Sequence, residues 1–136
     1  MFLGDMLKIS AAGMQAQGMR MRVIAENMAN SATTGETPGA DPYQRRIVTF
    51  REELDRATGV PLVKVGNVVP DSSDFPERYD PTHPAADANG YVKLPNVRPI
   101  IETVDLKAAQ RAYEANLSVI DASKSMMQRT VDLLRS

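Results

Sequence analysis

The stretch that decides the fold is the segment 106–134, LKAAQRAYEANLSVIDASKSMMQRTVDLL. Small and apolar residues recur in it at alternating spacings of three and four, the heptad pattern of a helix that packs lengthwise against another helix. One row consists of Leu106, Ala109, Tyr113, Asn116, Ile120, Ser123, Met127, Thr130 and Leu134. A second row beside it consists of Ala108, Ala112, Ala115, Val119, Ala122, Met126 and Leu133. The two adjacent rows predict one long helix that contacts more than one neighbour.

Three positions of the first row, Asn116, Ser123 and Thr130, are polar. Polar side chains in such a row weaken the packing, but they can fix the register of the two helices. We therefore expect these positions to matter for alignment more than for stability.

A second helix is predicted at the other end of the chain, over residues 3–30. Its most regular row, Leu7, Met14, Met21 and Met28, repeats every seven residues, and Ile9, Ala12, Ala16, Met19 and Val23 form another apolar row. Gly13 and Gly18 each weaken this helix in isolation by roughly 1 kcal/mol relative to alanine. The helix therefore needs partners, and the turn-forming residues 31–35 end it.

The middle of the chain has a different chemistry. All nine prolines lie between Pro38 and Pro99, and all eight methionines lie outside that stretch. Proline interrupts helices, so the middle is predicted to consist of strands and turns. The strand candidates are residues 46–50, residues 62–69 with a break at Gly66, and residues 91–94 after a type I′ turn at Asn89-Gly90. The fold class is therefore α+β, in three segments: 1–34, 35–99 and 100–136.

Composition excludes several function classes. A net charge of −1 lacks the basic footprint of a nucleic-acid binder. The chain has no cysteine, which rules out disulfides and thiol catalysis. No apolar run reaches 18 residues, so we expect no direct membrane insertion. The first 21 residues lack the basic and apolar regions of a secretory signal, so we expect no cleaved signal peptide.

No reactive or metal-binding constellation is predicted. His83 is the only histidine, and its position between two prolines indicates a structural role in a loop. Residues 85–96 fit a calcium loop poorly, because Ala85 and Asn96 stand at the positions where acidic ligands are needed. We therefore expect neither a cofactor nor a metal, and no enzymatic activity.

Several of these stretches resemble the flagellar rod and hook protein family. Residues 7–17 (LKISAAGMQAQ) and 23–34 (VIAENMANSATT) are similar to its N-terminal signature, a helix that ends in an Ala-Asn-x-x-Thr motif. Residues 111–116 (RAYEAN) are similar to the matching C-terminal motif. Residues 79–84 (YDPTHP) and 86–97 (ADANGYVKLPNV) resemble the short, proximal-rod members of the family in particular.

The resemblance implies a structural subunit of the proximal rod that contributes to motility. Its terminal helices would form an inner coiled-coil domain and its middle segment a small outer domain. It would be exported by the flagellar type III apparatus and would lie in the basal body, in the rod that spans the periplasm. Its partners would be copies of itself, other rod proteins and the proteins of the MS-ring/rod junction.

The assembly interface implied by the rows and the resemblance comprises Leu7, Ile9, Met14, Met21, Ile24, Asn27, Asn30, Thr33, Ala112, Tyr113, Ala115, Asn116, Ile120 and Met127. Two alternatives stay open at this point, another axial rod subunit and a soluble coiled-coil adaptor protein. The adaptor shares the heptad rows but does not explain the Ala-Asn-x-x-Thr ending.

Overall fold

Two long helices form the body of the protein. The computed structural model describes residues 2–136, so Met1, the first residue of the predicted N-terminal segment, lies outside the described residues. Helix α1 runs over Phe2–Ala29 and helix α2 over Pro99–Arg135. Two small antiparallel sheets complete the structure. The predicted α+β class is thus confirmed, while the division of the chain into domains stays a prediction.

Helix α2 begins two turns before the heptad rows do. Its first residue, Pro99, suits that position because its backbone has no N–H to leave unpaired and its φ is already helical. Within residues 2–136, no helix combines the length and the apolar character needed to cross a membrane.

The two helices pack against each other in antiparallel orientation. Gly13 lies against the side chain of Asn116, and Asn27 near one end of α1 hydrogen-bonds to Glu102 at the start of α2. A Cβ atom on Gly13 would lie 2.6 Å from Asn116 Nδ2. Gly13, which weakens the isolated helix, therefore allows the close approach of the pair.

The first α2 row faces α1, as the spacing predicts. Ala109 and Ser123 are fully buried, whereas Thr130 and Leu134 are exposed. These two lie near the end of α2, which is the longer helix, with 37 residues against 28 in α1. The Ser123 hydroxyl has no hydrogen-bond partner among residues 2–136.

A β-hairpin lies against α1. Strands β1 (Arg46–Leu54) and β2 (Pro61–Pro70) pair in antiparallel register, and Thr49 faces two residues of β2, Gly66 and Asn67. The Thr49 hydroxyl accepts a hydrogen bond from the Asn67 N–H at 2.9 Å and donates one to the Asn67 carbonyl at 3.1 Å. The predicted break at Gly66 is therefore a β-bulge inside one continuous strand.

A second, smaller sheet pairs β3 (Glu77–Tyr79) with β4 (Tyr91–Lys93). The sequence gives no signal for β3, because three residues are too few to show an alternating pattern. The rings of Tyr79 and Tyr91 meet edge to face with their centres 5.3 Å apart.

The prediction of a type I′ turn at Asn89-Gly90 is wrong. That turn needs positive φ at both residues, but only Gly90 has it, at 85°. The Asp87 carboxylate accepts hydrogen bonds from the N–H groups of Asn89 and Tyr91, and the Asp87 carbonyl accepts one from Gly90. The aspartate side chain thus fixes a turn in which only the last residue is left-handed.

The core is aliphatic and small, as the low aromatic content predicts. Its buried apolar residues are Ala12, Ala16, Val23, Ile24, Ala85, Val92, Val97 and Ala109. Half of them come from α1, which lies between α2 and the β1–β2 hairpin. Helix α1 is therefore the element that both other layers pack upon.

The tip of the hairpin is tied to α1 by an ion pair. Lys8 Nζ lies 2.9 Å from Asp55 Oδ2, and the same carboxylate accepts hydrogen bonds from the Thr58 hydroxyl and the Ala57 N–H. The bond from Lys8, followed by those from Thr58 and Ala57, lowers the pKa of Asp55 to about 2.

The two glycines of α1 should respond differently to substitution. Gly18→Ala should raise the free energy of unfolding by about 1 kcal/mol, because alanine favours the helix and the new methyl group meets no atom within 4 Å. Gly13→Ala should lose most or all of that gain, because Asn116 must move. Urea denaturation of the purified monomers measures both values. Equal stabilisation by the two substitutions would show that the helices do not approach closely at Gly13.

The hairpin tip should detach from α1 in acid. The fold lowers the pKa of Asp55 below its free value of roughly 3.9, so the ion pair stabilises the folded state above about pH 4, and this stabilisation is lost as the pH falls towards about 2. An NMR titration should show the Ala57 and Thr58 amides shifting with a midpoint near pH 2. Asp55→Asn should remove this transition, whereas a midpoint near pH 4 in the unsubstituted chain would contradict the ion pair.

Candidate assembly surface

The second heptad row of α2 lies on the surface of the chain. We extend it by Ile101, seven residues before Ala108, and call the whole the α2 outer row, which comprises Ile101, Ala108, Ala112, Ala115, Val119, Ala122, Met126 and Leu133. All of these residues are exposed except Ala112, which is half-buried. Met126 and Leu133 leave 43% and 76% of their surface exposed. The row therefore offers an apolar strip from Ala108 to Met126 that this chain does not cover with its own residues 2–136, and Asp105 and Arg129 separate it from Ile101 and Leu133.

A comparable strip runs along α1. We call it the α1 outer row, which comprises Gly4, Leu7, Ala11, Met14, Gly18, Met21, Ala25 and Met28. Ala11 and Ala25 are exposed and the others are half-buried. A Cβ atom on Gly18 would meet nothing within 4 Å. This row contains the seven-residue methionine repeat that the sequence singles out.

The residues predicted at the assembly interface divide into three groups by exposure. Ile24 and Asn27 are buried within the chain; Leu7, Met14, Met21, Asn30, Ala112, Tyr113, Asn116, Ile120 and Met127 are half-buried; Ile9, Thr33 and Ala115 are exposed. Tyr113, Asn116, Ile120 and Met127 belong to the α2 row that faces α1. For all the residues predicted at the assembly interface, a part in contacts between subunits stays a prediction.

Asn27 has a role inside the chain. Its amide nitrogen donates to the carbonyl of Arg46 at 2.8 Å, and its amide oxygen accepts hydrogen bonds from the Arg46 N–H and the Tyr43 hydroxyl, the latter at 2.7 Å. Partial burial raises the pKa of Tyr43, which keeps its proton available for this bond. Asn27 thus pins the start of β1 to the end of α1.

Glu102 is the most conspicuous buried charge. It is fully buried in the first turn of α2, and its carboxylate accepts a hydrogen bond from Arg45 Nε. Arg45 also contacts Asp71 at 3.1 Å and Asp105 at 3.5 Å. Burial alone would lower the pKa of Arg45, but its hydrogen bonds to Glu102 and Asp71 raise it above the ordinary value.

The side-chain amide of Asn96 holds the chain around Arg45 in place. Asn96 accepts a hydrogen bond from the Arg45 N–H at 2.7 Å and donates to the carbonyls of Asp71 and Ser73, both at 3.1 Å. The pKa of Asp71 is lowered mainly by the N–H of Ser73 and secondly by Arg45. This polar cluster therefore joins the end of β2, the start of α2 and the segment before β1.

Sequence reasoning missed Arg45 and Glu102. The one available signal is the placement of Glu102 three residues after Pro99, where an acid favours a helix N-terminus. An acid at this position is favourable whether the helix start is exposed or buried, so this signal does not predict that Glu102 is buried. Only the three-dimensional proximity of residues 57 positions apart reveals the pair.

The Ala-Asn-x-x-Thr ending of α1 acts as a local cap. The side chain of Asn30 donates to the Glu26 carbonyl at 2.9 Å, and the Thr33 hydroxyl donates to the side-chain oxygen of Asn30 at 3.1 Å. The Glu26 carbonyl also accepts a hydrogen bond from the Asn30 N–H at 3.1 Å, so Asn30 binds the last helical turn through both its backbone and its side chain. The motif therefore fixes the direction in which the chain leaves α1.

His83 stabilises the loop that contains it. Its Nδ1 accepts a hydrogen bond from the Ala85 N–H at 3.0 Å, and its Nε2 lies 3.3 Å from the Thr34 hydroxyl. The loop before β4 is thereby joined to the segment after α1. Among residues 2–136 no group of three or more histidine, aspartate or glutamate side chains is placed to hold a metal ion.

Comparison with known proteins assigns the family. Residues 88–133 match the model of the flagellar basal body rod FlgEFG protein C-terminal region. The chain is 49% identical over 129 residues to the flagellar basal-body rod protein FlgC of Agrobacterium fabrum, covering 95% of this chain and 93% of that protein. It is 39% identical to FlgC of Salmonella typhimurium and 36% identical to FlgC of Bacillus subtilis, with at least 93% of each chain covered.

The chain belongs to the FlgC family of flagellar basal-body rod proteins. The resemblance to flagellar rod proteins is thereby confirmed, and the adaptor alternative is ruled out. The FlgC family is a family of structural rod proteins, so the function is that of a structural component of the basal body that serves motility.

The buried ion pair should contribute strongly to the stability of the folded chain. Arg45→Met leaves the Glu102 carboxylate buried without its partner, and we expect the free energy of unfolding to fall by about 3–5 kcal/mol. Thermal and urea denaturation of the purified chain measure the change. The control is Arg51→Met, which breaks the exposed pair with Glu53 and should cost less than about 1 kcal/mol.

A double substitution separates the charge from its packing. Arg45→Met with Glu102→Met removes both charges, and we expect it to be more stable than Arg45→Met alone. A double variant as unstable as the single one would mean that the stability derives from the shape of Arg45 rather than from compensation of the buried charge.

Proposed function

We propose that the chain is a subunit of the proximal part of the flagellar rod, assembled through the exposed faces of its two helices. In this proposal α1 and α2 form an inner coiled-coil domain, and residues 35–99 form a small outer domain. The observation that carries the proposal is the α2 outer row. A strip of exposed alanine, valine, methionine and leucine on a long helix is unusual for an isolated chain and is typical of a helix with a further partner.

The partners follow from the family and from the two outer rows. We propose copies of the chain itself and other rod proteins along the helices, together with proteins of the junction between the MS ring and the rod. A helix with apolar rows on two sides can pack between two neighbours at once, which suits a tubular assembly. The exposed hydrophobic end of α2, with Leu133 76% and Leu134 83% exposed, extends this surface to its last turn.

The location and route also belong to the proposal. We propose that the chain is exported by the flagellar type III apparatus without a cleaved signal peptide and resides in the rod where it spans the periplasm. Its small aliphatic core supports this route, because a chain with few large buried side chains unfolds at low cost. The absence of cysteine removes any risk of mispaired disulfides on the way.

A deletion strain tests the proposal as a whole. Cells without the chain should export no hook or filament subunits to the surface, and a plasmid copy should restore both. The chain should also be present in purified basal bodies. Swimming and normal filaments in the deletion strain would refute a structural role in the rod.

A charge in the α2 outer row should block assembly without unfolding the chain. Ala115 is exposed, so Ala115→Glu should leave the melting temperature of the monomer within a few degrees of the parent. In a subunit contact the new carboxylate would be buried without a partner at a cost of several kcal/mol, so we expect loss of motility. The control is Gln110→Glu, which places the same charge on an exposed position outside the outer row. Equal motility of the two strains would show that Ala115 faces solvent in the rod.

A further inference from the structure

We propose that the α1 outer row of one copy packs against the α2 outer row of a second copy beside it in the rod. This pairing rests on the proposed function and deepens it, because it names the partner and the two faces that meet. It follows from three features of the structure: the directions of the rows, the sizes of their side chains and the open space at Gly18.

The two outer rows lie on opposite sides of the helix pair. A cleft of about 250 Å³ separates α2 from β1, and it is lined by Val23 and Asn27 of α1, Phe50 of β1 and Asp105 of α2. The α2 outer row continues from Asp105 at helical spacings of three and seven, so it lies on the side of α2 that faces the cleft. The α1 outer row lies on the side of α1 turned away from Val23 and Asn27.

Because the two outer rows lie on opposite faces of the helix pair, a contact between them gives an array of copies rather than a closed pair. A two-fold dimer needs the same patch on both subunits, whereas a contact between two different faces leaves one of each free to bind a further copy. Pairing of α1 outer row to α2 outer row therefore builds a ring or an open helical array. A row of copies around a tube has this geometry.

The side-chain sizes match when the copies stand side by side and point the same way. Helix α1 of one copy then runs antiparallel to α2 of the next, as α1 and α2 do within one copy. At equal height, with the register that Gly13–Asn116 and Asn27–Glu102 set inside the chain, five of the seven facing pairs join a large residue to a small one. These five are Leu7 with Ala122, Met14 with Ala115, Met21 with Ala108, Ala11 with Val119, and Gly4 with Met126. Gly18 meets Ala112, where both residues are small, and Met28 meets Ile101, where both are large.

This alternation is what interdigitated helix packing requires. Side chains of one helix insert between those of the other, and facing positions of unequal size fill the space without overlap. The long, flexible methionines of α1 fit against the alanines of α2, which recur with the same seven-residue period. Two facing rows of large residues would clash, and two facing rows of small residues would leave voids.

Gly18 gives independent support. Glycine weakens a helix interior, and nothing in this chain needs it there, since a Cβ atom would meet open space. Gly13, in contrast, makes room for Asn116 of the same chain. A neighbouring helix that approaches closely at Gly18 would explain why this position is a glycine, just as Asn116 explains Gly13.

A size swap tests the pairing. Ala115→Met should place two methionines opposite each other, and such overpacking should weaken the subunit contact at least about tenfold. We expect filaments per cell to fall sharply. Met14→Ala in the same chain should restore them, because each contact then again joins one large and one small residue. Rescue within one gene, with the melting curve of each monomer unchanged, indicates that the two positions meet between identical copies.

Controls separate assembly from folding and from export. The circular dichroism melting curve of each monomer should match the parent, and each variant should appear in the export assay at the parental level. Gln110→Met, which places the same methionine at an exposed position outside the row, should leave filament counts unchanged. Normal filaments with Ala115→Met, or no rescue by Met14→Ala, would overturn the pairing.

Cross-linking gives a second test that does not depend on rescue. The chain has no cysteine, so Met14→Cys and Ala115→Cys can be placed in separate copies and co-expressed. Oxidation of purified basal bodies should yield a dimer of the chain only when both variants are present. A cross-link exclusively to another rod protein would overturn the choice of a second copy. If cells lacking the chain still build filaments, the proposed function fails; if they do not and these tests are negative, only the pairing fails.

Discussion

The buried contact between Arg45 and Glu102 is the constraint on which the rest of the structure depends. Glu102 is fully buried, and a carboxylate without water must be paired or pay a large desolvation penalty. Its partners come from the end of α1, through Asn27, and from the segment before β1, through Arg45. Glu102 therefore links both helices to the middle segment.

That constraint sets the register of the helix pair. Rows of alanine, serine and glycine permit an antiparallel pair to slide, because small residues make few interlocking contacts. The polar contact at Asn27–Glu102 fixes one end, and the fit of Asn116 against Gly13 fixes the middle. With the register fixed, the faces that point outwards are fixed as well.

The distribution of small and large apolar side chains supports the proposed role in assembly. Its core uses small aliphatic residues and no large aromatic cluster, while many larger apolar residues stay on the surface of α2. Long helices with this distribution gain much of their order from neighbours. The chain therefore has a compact cluster of polar contacts at one end of its helices, and the exposed helix faces are the surfaces that we propose for assembly.

The sequence alone determined the two helices, the row that joins them and the approximate strands, because heptad spacing and the confinement of proline to the middle are local patterns. It also determined the family resemblance, through motifs such as Ala-Asn-x-x-Thr. It could not determine that Asn27 is buried in the chain, that Gly13 faces Asn116, or that Asp87 replaces the expected type I′ turn with another. It gave no sign of the Arg45–Glu102 pair. These features depend on contacts between residues distant in the chain or on a side chain that competes with the backbone, and only the packed tertiary structure brings those groups together.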